Sequence, residues 1–408
     1  MLTIHFLRRG PKLLEDFMDF ELGKEQREIK ERAAEFADRE VAPYAAKWDR
    51  EARFPAQAFE KLAQAGFMGL CVPEEYGGAG ADFLSYVLLL EEISRADAGV
   101  GATLAVHTSA GTLPLLIYGD EEQKSRWVPD LARGARIGCF ALTEPSTGSD
   151  TAAIEARAER MDGGYRLTGH KQWVTNGRAA GAMVVFARAP EGVTAFVVRM
   201  GEPGISFGKH AEKMGVLSAT TDDVLLEDVF VPEGDRLGEE GKGLRVALGT
   251  LDGGRIGIAA QALGIAEAAF RYATRYAAER TTFGKPIAEH QAIAFKLADM
   301  QTKTRAARLL VYEAAWMKDR GMPHGEAGAR AKLFASVVAN EVTYEAVQVL
   351  GGQGYMKDHP VERYYRDARV TEIYEGTSEI QRLVVSRGVL RELAEDPGGV
   401  HASRPVVG

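Results

Sequence analysis

Acid–base chemistry is best supported in this sequence around Glu375, within the segment YEGTSEIQR. Ser378 and Gln381 have the spacing of a capping box, which predicts a helix that begins here and continues through Leu393. Glu375 would then lie just before a helix N-terminus, in a loop where Gly376 lets another group approach the backbone. A carboxylate in this place can act as a general base, but it is also an ordinary partner for the helix dipole. The residue by itself leaves both interpretations open.

Two further segments carry groups that could bind a ligand. The stretch FALTEPSTGSD, residues 140–150, predicts a strand that runs into a loop of small hydroxyl residues, whose backbone N–H groups suit an anionic or heterocyclic ligand. The stretch KQWVTNG, residues 171–177, places a flat tryptophan beside a threonine at a predicted strand end. Each stretch alone is more typical of an ordinary turn or a packed core residue than of a cofactor site.

Several standard active-site motifs are missing from the sequence. It contains no G-x-x-x-x-G-K-[ST] and no G-x-G-x-x-G that opens a helix after a strand, which argues against a P-loop or a Rossmann dinucleotide site. The eight histidines are scattered and no closely spaced cysteine pair is present, so no metal site is expected. The stretch GISFG, residues 204–208, matches the nucleophile elbow of hydrolases, but its flanking residues predict a loop between strands.

Composition limits the class of protein. The chain has 408 residues, with 50 basic and 58 acidic side chains and a formal charge of −8, which disfavours a nucleic-acid partner. Its two cysteines cannot form a disulfide framework and suit a reducing compartment, which we expect to be the cytoplasm of a bacterium or the mitochondrial matrix of a eukaryote. No apolar run is expected to approach the roughly 20 residues of a membrane helix, so no membrane span is predicted. Residues 1–19 are interpreted as an N-terminal extension.

The periodicity of apolar residues divides the chain into three segments. Residues 20–136 show helical spacing and predict an N-terminal helical domain. Residues 137–240 contain short valine-rich stretches and one hairpin signal at Asp162–Gly164, and they predict a middle antiparallel β-domain, either a barrel or a sandwich. Residues 241–393 return to helical spacing and predict a C-terminal four-helix bundle. The expected fold is a multi-domain α+β protein, with residues 394–408 as a tail.

The three ligand-binding segments, in this order and with these separations, resemble the acyl-CoA dehydrogenase family. The resemblance extends over residues 20–392 and includes RTTFGKPIAEHQ at 280–291, QVLGGQG at 348–354 and YRDAR at 365–369. The stretch LDGGRIGIAAQ, residues 251–261, is most similar to the short-chain and short-branched-chain members, such as butyryl-CoA dehydrogenase. The helix–β–helix architecture of the family agrees with the three segments.

The resemblance implies FAD-dependent α,β-dehydrogenation of acyl-CoA thioesters to trans-2-enoyl-CoA, as in fatty-acid or branched-chain amino-acid degradation. Glu375 matches the general base that removes the α-proton, while the β-hydrogen leaves as hydride to the flavin. Long-chain and isovaleryl members carry this glutamate immediately before the arginine that matches Arg255. Here that position is Gly254, so the base is assigned to Glu375.

The other functional positions of the family fall into three groups. One group of cofactor contacts matches Phe140, Leu142, Thr143, Ser149, Trp173, Thr175, Thr377 and Glu379. A second group of cofactor contacts, most of which reach the FAD of a neighbouring subunit, matches Arg280, Phe283, Gln291, Gln348, Gly351 and Gly352. Substrate contacts match Ser149, Asp252, Arg255 and Gly376.

The implied partners are an acyl-CoA substrate, electron transfer flavoprotein as the electron acceptor, and further copies of this chain in a homotetramer. Broad apolar faces on the predicted C-terminal helices fit subunit contacts, although a thick core within one chain would use them equally well. Three rival activities keep the fold: an acyl-CoA oxidase, an enzyme that uses acyl carrier protein, and a flavin monooxygenase relative that would not need Glu375. A non-catalytic flavin- or CoA-binding helical scaffold would be expected to lose this glutamate and the flavin contacts.

Overall fold

The computed structural model of the chain describes residues 21–395, so the extension expected at residues 1–19 lies outside it. The tail expected at residues 394–408 also lies outside, apart from residues 394 and 395, which continue the last helix. Within the described part, helices are followed by strands and then by helices again. This order confirms the predicted fold class, while the individual domain boundaries stay predictions.

Seven helices form the N-terminal segment, and most of their apolar side chains share one core with the C-terminal helices. Aspartates cap the N-termini of two of the helices. The Asp82 carboxylate accepts from Ser85 N, and the Asp97 carboxylate accepts from Gly99 N and Val100 N. π-Helical turns at 37–41 and 106–112 continue two of the helices. The helices are α1 (Lys24–Phe36), α2 (Ala42–Glu51), α3 (Ala56–Gln64), α4 (Phe83–Ala96), α5 (Ala98–Ala105), α6 (Leu113–Tyr118) and α7 (Glu121–Ala132).

The sequence-based estimate of apolar run length was wrong at one stretch. Ala98–Tyr118 covers 21 residues, its most apolar 18-residue window has a mean hydropathy of 1.4, and by length and composition it could cross a membrane. Of its most apolar window, 83% is buried inside the protein. A helix that is apolar on all sides is also what the centre of a large core requires, and here the stretch fills that place.

The middle segment forms one eight-stranded sheet, and its second and third strands are the predicted hairpin at Asp162–Gly164. The hydrolase-like GISFG stretch forms no strand-to-helix elbow, but the loop predicted there was also wrong, because residues 205–208 belong to a strand. The strands are β1 (Ile137–Ala141), β2 (Arg157–Met161), β3 (Gly164–Thr175), β4 (Ala180–Ala189), β5 (Gly192–Arg199), β6 (Ile205–His210), β7 (Thr221–Pro232) and β8 (Arg236–Leu237).

The prediction of a purely antiparallel sheet was wrong at β4. Strand β1 pairs with β4 in parallel, and β2 meets β4 in parallel at Arg157 and Arg188. The loop after β1 and the β2–β3 hairpin form a long crossover between β1 and β4, which allows the two strands to run in the same direction. The described strands do not close a barrel, because β6 and β8 lie at opposite ends of the sheet. Tyr165 of β3 packs on Phe196 of β5, with ring centroids 5.0 Å apart, so the sheet folds on itself as in the sandwich alternative.

The C-terminal segment is built on long helices that pack side by side and against α4. A buried ion-pair network joins three of the helices, since Arg308 donates to Glu91 and to Glu267 at 2.9 Å each. The elements are α8 (Gly243–Glu279), the two-residue strands β9 (Thr281–Thr282) and β10 (Lys285–Pro286), α9 (Gln291–Asp319), α10 (Gly325–Leu350), α11 (Val361–Arg369) and α12 (Ser378–Glu395).

Candidate active site

Glu375 lies in the tight turn that leads into α12, and its backbone is strained. Its φ is +50°, and the φ of Gly376 is +89°. The left-handed region is natural for glycine but unfavourable for glutamate. A non-glycine residue held in this conformation by its surroundings is a candidate functional residue.

The Glu375 carboxylate points toward α8, where the helix has no side chain. Its Oε2 atom is buried and has no hydrogen-bond partner among the described residues. A Cβ built on Gly254 would lie only 2.2 Å from this oxygen. The two positions to which the family resemblance assigns a base, 254 and 375, therefore share one region of space. The missing side chain at 254 is what makes room for the carboxylate.

Burial and two nearby cations shift the pKa of the Glu375 carboxyl group in opposite directions. Burial raises the pKa of the Glu375 carboxyl to about 7, while the positive charges of Lys332 and Arg255 work to lower it. Arg255 also donates to the Asp252 carboxylate at 2.7 Å, and its buried Nε has no partner in the described part of the chain. A carboxyl group that ionises near neutrality suits a general base.

An apolar cavity of about 410 Å³ begins next to Tyr374, the residue before Glu375. Trp173 stands at its edge and is 61% exposed, with a φ of +56° at an irregularity of β3. A large flat side chain left this open, beside an apolar hollow, indicates a ligand with a flat apolar face. Other residues that line the cavity include Thr175, Met214, Val216, Val370 and Ile373.

A buried ion pair fixes the loop that begins at Leu142. Lys171 and Glu144 are both buried, with Nζ and Oε1 2.6 Å apart, and Lys171 also donates to the Leu142 carbonyl at 3.2 Å. The second Glu144 oxygen accepts from Glu155 N at 2.5 Å. Gln172 N donates to the Thr143 carbonyl at 2.8 Å, which ties the loop to the strand that carries the tryptophan.

We expect Lys171→Met and Glu144→Gln each to lower the free energy of unfolding by about 3–5 kcal/mol, because each leaves one buried charge unpaired. The double variant should lose less than the sum of the two single losses. Urea unfolding of the four proteins measures both quantities. Lys124→Met, which breaks a pair between a half-buried lysine and the exposed Glu121, is the control and should cost about 0–1 kcal/mol. Equal losses at Lys171 and Lys124 would show that the buried pair is not a structural clamp.

The capping box predicted at Ser378 and Gln381 was wrong by one residue. Thr377 is the cap: its Oγ1 accepts from Ile380 N at 3.4 Å, while the Ser378 Oγ is buried without a partner in residues 21–395. The Gln381 side chain instead donates to the Gly376 carbonyl at 2.7 Å. Adjacent threonine and serine are both good caps, so residue type alone does not choose between them.

The remaining positions predicted from the sequence lie in two regions. Trp173 and Thr175 line the cavity, and Gly376 and Thr377 belong to the turn. Arg255 acts on the Glu375 carboxyl and holds Asp252, while Thr143 is hydrogen-bonded to the residue before Trp173. Leu142 is buried in the loop after β1, Ser149 is exposed further along it, and Glu379 is exposed on the first turn of α12. The Phe140 ring packs on Phe186, with centroids 4.9 Å apart.

The other predicted cofactor positions lie at the far ends of α8 and α10. At 1.5 Å per residue, α8 runs about 39 Å from Gly254 to Arg280, and α10 runs about 24 Å from Lys332 to Gln348. Phe283 is 96% exposed. The structure does not bring these residues to Glu375 within one chain. They are Arg280, Phe283, Gln291, Gln348, Gly351 and Gly352, all of them exposed.

Sequence reasoning missed Lys332, which donates to the Gly376 carbonyl at 2.6 Å, and it missed the pair of Lys171 and Glu144. A signal for Lys332 was present, since Lys332, Ser336 and Asn340 form a polar stripe at i, i+4 and i+8, each next to a buried alanine of α10. No comparable local pattern pairs Lys171 with Glu144.

Three family sequence models match the chain in succession. The acyl-CoA dehydrogenase N-terminal domain matches residues 23–135, the middle domain matches 139–229, and the C-terminal domain matches 241–390.

Individual relatives agree with these matches over nearly the whole chain. An acyl-CoA dehydrogenase of Bacillus subtilis is 49% identical over 372 residues, which is 90% of this chain and 98% of the relative. The mitochondrial short-chain specific acyl-CoA dehydrogenase of Bos taurus is 46% identical over 380 residues, which is 92% of each chain.

Solved structures superpose closely on the described fold. Butyryl-CoA dehydrogenase from Megasphaera elsdenii has a TM-score of 0.90 and 43% identity, covering 92% of this chain and 100% of the other. A chain from work on the electron transferring flavoprotein of Acidaminococcus fermentans has a TM-score of 0.91 and 47% identity, with coverage of 92% and 100%. An acyl-CoA dehydrogenase complexed with FAD from Bacillus anthracis has a TM-score of 0.87 and 33% identity, covering 93% of this chain and 69% of that one. With a candidate base in a strained turn, an apolar cavity beside it, and these matches along its length, the chain belongs to the acyl-CoA dehydrogenase family of oxidoreductases.

Proposed function

We propose that this acyl-CoA dehydrogenase oxidises short-chain acyl-CoA thioesters to trans-2-enoyl-CoA, with FAD as its cofactor and Glu375 as the general base. The observation that carries the proposal is the buried, unpartnered Oε2 of Glu375, which faces α8 at Gly254 between an apolar cavity and two cations. The relatives described as short-chain specific and as butyryl-CoA dehydrogenase support a short acyl chain.

The cavity beside Tyr374 fits a flavin ring system in size and chemistry. Its walls are mostly apolar, and Trp173 offers a flat exposed face at its edge. Trp173, Thr175 and the backbone around Thr143 would hold the ring, and the flavoprotein relative complexed with FAD supports this cofactor. When bound, FAD supplies the acceptor for the hydride that leaves the β-carbon.

The chain's own residues would handle the proton. Glu375 would remove the α-proton of the thioester, a weakly acidic group that requires a base of matched strength. The apolar surroundings keep water away and hold the Glu375 pKa near 7, while Arg255 and Lys332 favour the ionised form before transfer. The family resemblance assigns the thioester carbonyl to the backbone N–H of the catalytic glutamate, here Glu375, where developing enolate charge would be stabilised.

Two partners belong to the same proposal. Electron transfer flavoprotein would reoxidise the reduced enzyme, which is supported by the likeness to a chain from work on such a flavoprotein. A homotetramer would bring the exposed residues at the far ends of α8 and α10 to the cofactor of a neighbouring subunit. Large apolar side chains exposed on the C-terminal helices and the β9–β10 hairpin support such contacts, among them Phe283, Phe295, Trp316 and Tyr344. Sedimentation of the purified protein would measure the assembly.

An anaerobic absorbance titration with acyl-CoAs of increasing length, together with short branched ones, tests the function. A yellow protein whose flavin band is bleached by butyryl-CoA or a short branched acyl-CoA would support it. A colourless protein, or a yellow one that no acyl-CoA bleaches, would contradict it and favour a carrier-protein or monooxygenase activity. Admitting O₂ to the reduced enzyme separates the remaining rival, because rapid reoxidation with peroxide release would indicate an oxidase.

The rate should depend on pH through Glu375. The base must be ionised to accept a proton, and its pKa is raised to about 7, so kcat/KM should rise with pH and level off above that value. Rapid-mixing measurements of flavin reduction from pH 5.5 to 9 would record this limb. If the rate instead rose with a midpoint near pH 4.5, the ordinary pKa of a glutamate, burial would not control the pKa of the Glu375 carboxyl.

A further inference from the structure

One face of α10 holds the chain that leads to the catalytic turn. Asn340 Nδ2 donates to the Ala368 carbonyl at 3.1 Å, and Ser336 Oγ donates to the Thr371 carbonyl at 2.8 Å. Lys332 Nζ donates to the Gly376 carbonyl at 2.6 Å. The three side chains are spaced by four residues, so they form a ladder of donors along residues 368–376.

Only the last donor of this ladder is charged. Asn340 and Ser336 show that neutral side chains can hold this segment of backbone. Lys332 is fully buried, and in the described part of the chain its hydrogen-bond acceptor is a carbonyl rather than a carboxylate. Burying a cation without a directly paired anion is costly, and burial lowers the pKa of the Lys332 ammonium to about 8. Lys332 is therefore mainly charged at pH 7, and a charge held at this cost calls for an explanation.

The Glu375 carboxylate supplies that explanation. Glu375 makes the largest favourable charge contribution to Lys332, ahead of Glu372 and Glu379, and Arg255 opposes it. In return, Lys332 makes the largest charge contribution that favours the ionised form of Glu375, followed by Arg255. Tyr86 of α4 and Tyr374 also face the carboxylate, and both are neutral in their ordinary state.

We propose that Lys332 is a positioning residue for the catalytic base, since its buried ammonium both holds the Gly376 carbonyl and balances the charge of the Glu375 carboxylate. The first role fixes the left-handed turn from which Glu375 projects, together with Gln381, which donates to the same carbonyl at 2.7 Å. The second role favours the ionised form of the base, whose Oε2 atom is buried. The inference rests on the proposed role of Glu375 as the base.

Variants at position 332 separate the two roles. Lys332→Gln keeps a hydrogen-bond donor but removes the charge, whereas Lys332→Arg keeps both. We expect Lys332→Gln to move the pH limb of flavin reduction upward by about one unit, which lowers the rate at pH 7 by about fivefold, and to leave the plateau at high pH nearly unchanged. Lys332→Arg should keep the limb near its original place. Lys332→Met should also lower the plateau, because the turn loses a donor.

A readout independent of turnover is the infrared band of the Glu375 carboxylic acid, identified as the band absent from Glu375→Gln. In Lys332→Gln this band should persist to higher pH. Arg330→Met, which removes an exposed cation from the same helix, is the matched control and should shift neither readout. If Lys332→Met does not fold, the comparison of Lys332→Gln with Lys332→Arg still isolates the effect of the positive charge.

The outcomes distinguish this inference from the proposed function. A wild-type enzyme that short acyl-CoAs reduce, combined with an unmoved limb and an unmoved band in Lys332→Gln, would overturn the role of Lys332 alone. A wild-type enzyme that no acyl-CoA reduces contradicts the proposed function, and the infrared titration then still reports whether Lys332 controls the Glu375 carboxyl.

Discussion

Glu375→Gln should abolish most of the reaction while leaving the fold and the cofactor site in place. The amide has the shape of the carboxylate but cannot accept the α-proton, so the rate of flavin bleaching by acyl-CoA should fall by about 10²–10⁴-fold. The substitution also removes the anion that favours the charged form of the buried Lys332, so some loss of stability is expected, while the similar shape of the amide should preserve the fold. Rapid-mixing absorbance measures the rate, and flavin content per chain measures the cofactor.

The control for this variant is Glu341→Gln, which removes an exposed carboxylate paired with Lys303 on the outside of the bundle. It should react at the rate of the unmodified enzyme. If Glu375→Gln retained more than about a tenth of the original rate, another group would have to remove the proton. The turn at Glu375 would then be a structural feature only.

Gly254→Ala is the second variant with a large expected effect, although it changes a residue that takes no part in proton transfer. Its Cβ would lie 2.2 Å from Glu375 Oε2, so the carboxylate must move away. The far end of a flexible side chain moves easily, and alanine is the better helix former, so the protein should fold with undiminished stability. A displacement of about 1 Å at the base is expected to reduce the reaction rate by about 10²-fold.

A matched control lies one turn further along the same helix. A Cβ at Gly257 would lie 3.4 Å from the Tyr86 hydroxyl and farther from other atoms, so Gly257→Ala makes a similar helix change without displacing the base. The rate of flavin reduction and the thermal unfolding temperature of both variants test whether the added methyl group displaces the base without lowering stability. If Gly254→Ala and Gly257→Ala reacted equally fast, the Glu375 carboxylate would not occupy the space beside Gly254 during the reaction.

Local patterns in the sequence determined the order of helices, strands and helices. Helical periodicity located α8, α9 and α10, and Asp162–Gly164 located the hairpin between β2 and β3. These features depend on side chains only a few residues apart, because turn chemistry and the apolar face of a helix are local properties. The family resemblance added the candidate base, Glu375, and the residues expected to surround a flavin.

Only the tertiary structure decided how distant segments meet. The parallel pairing of β1 with β4 crosses a long connection, and nothing within either strand specifies its direction. Thr377 rather than Ser378 caps α12, directly after the left-handed turn at Glu375 and Gly376. Each of these outcomes depends on contacts between residues that are far apart, or on backbone angles that neighbours impose, so residue spacing could not reveal them.

The same holds for the candidate site. The sequence contains Gly254, Lys332 and Glu375, but it does not reveal how they are arranged. In the structure, the Glu375 carboxylate lies where Gly254 of α8 has no side chain, and Lys332 of α10 donates to the Gly376 carbonyl. Those relations arise when α8 and α10 pack together and the turn before α12 folds against them. The sequence thus determines that the candidate base is a glutamate. Packing determines the pKa of its carboxyl group and the direction in which the side chain points, because burial and nearby charge exist only in the folded protein.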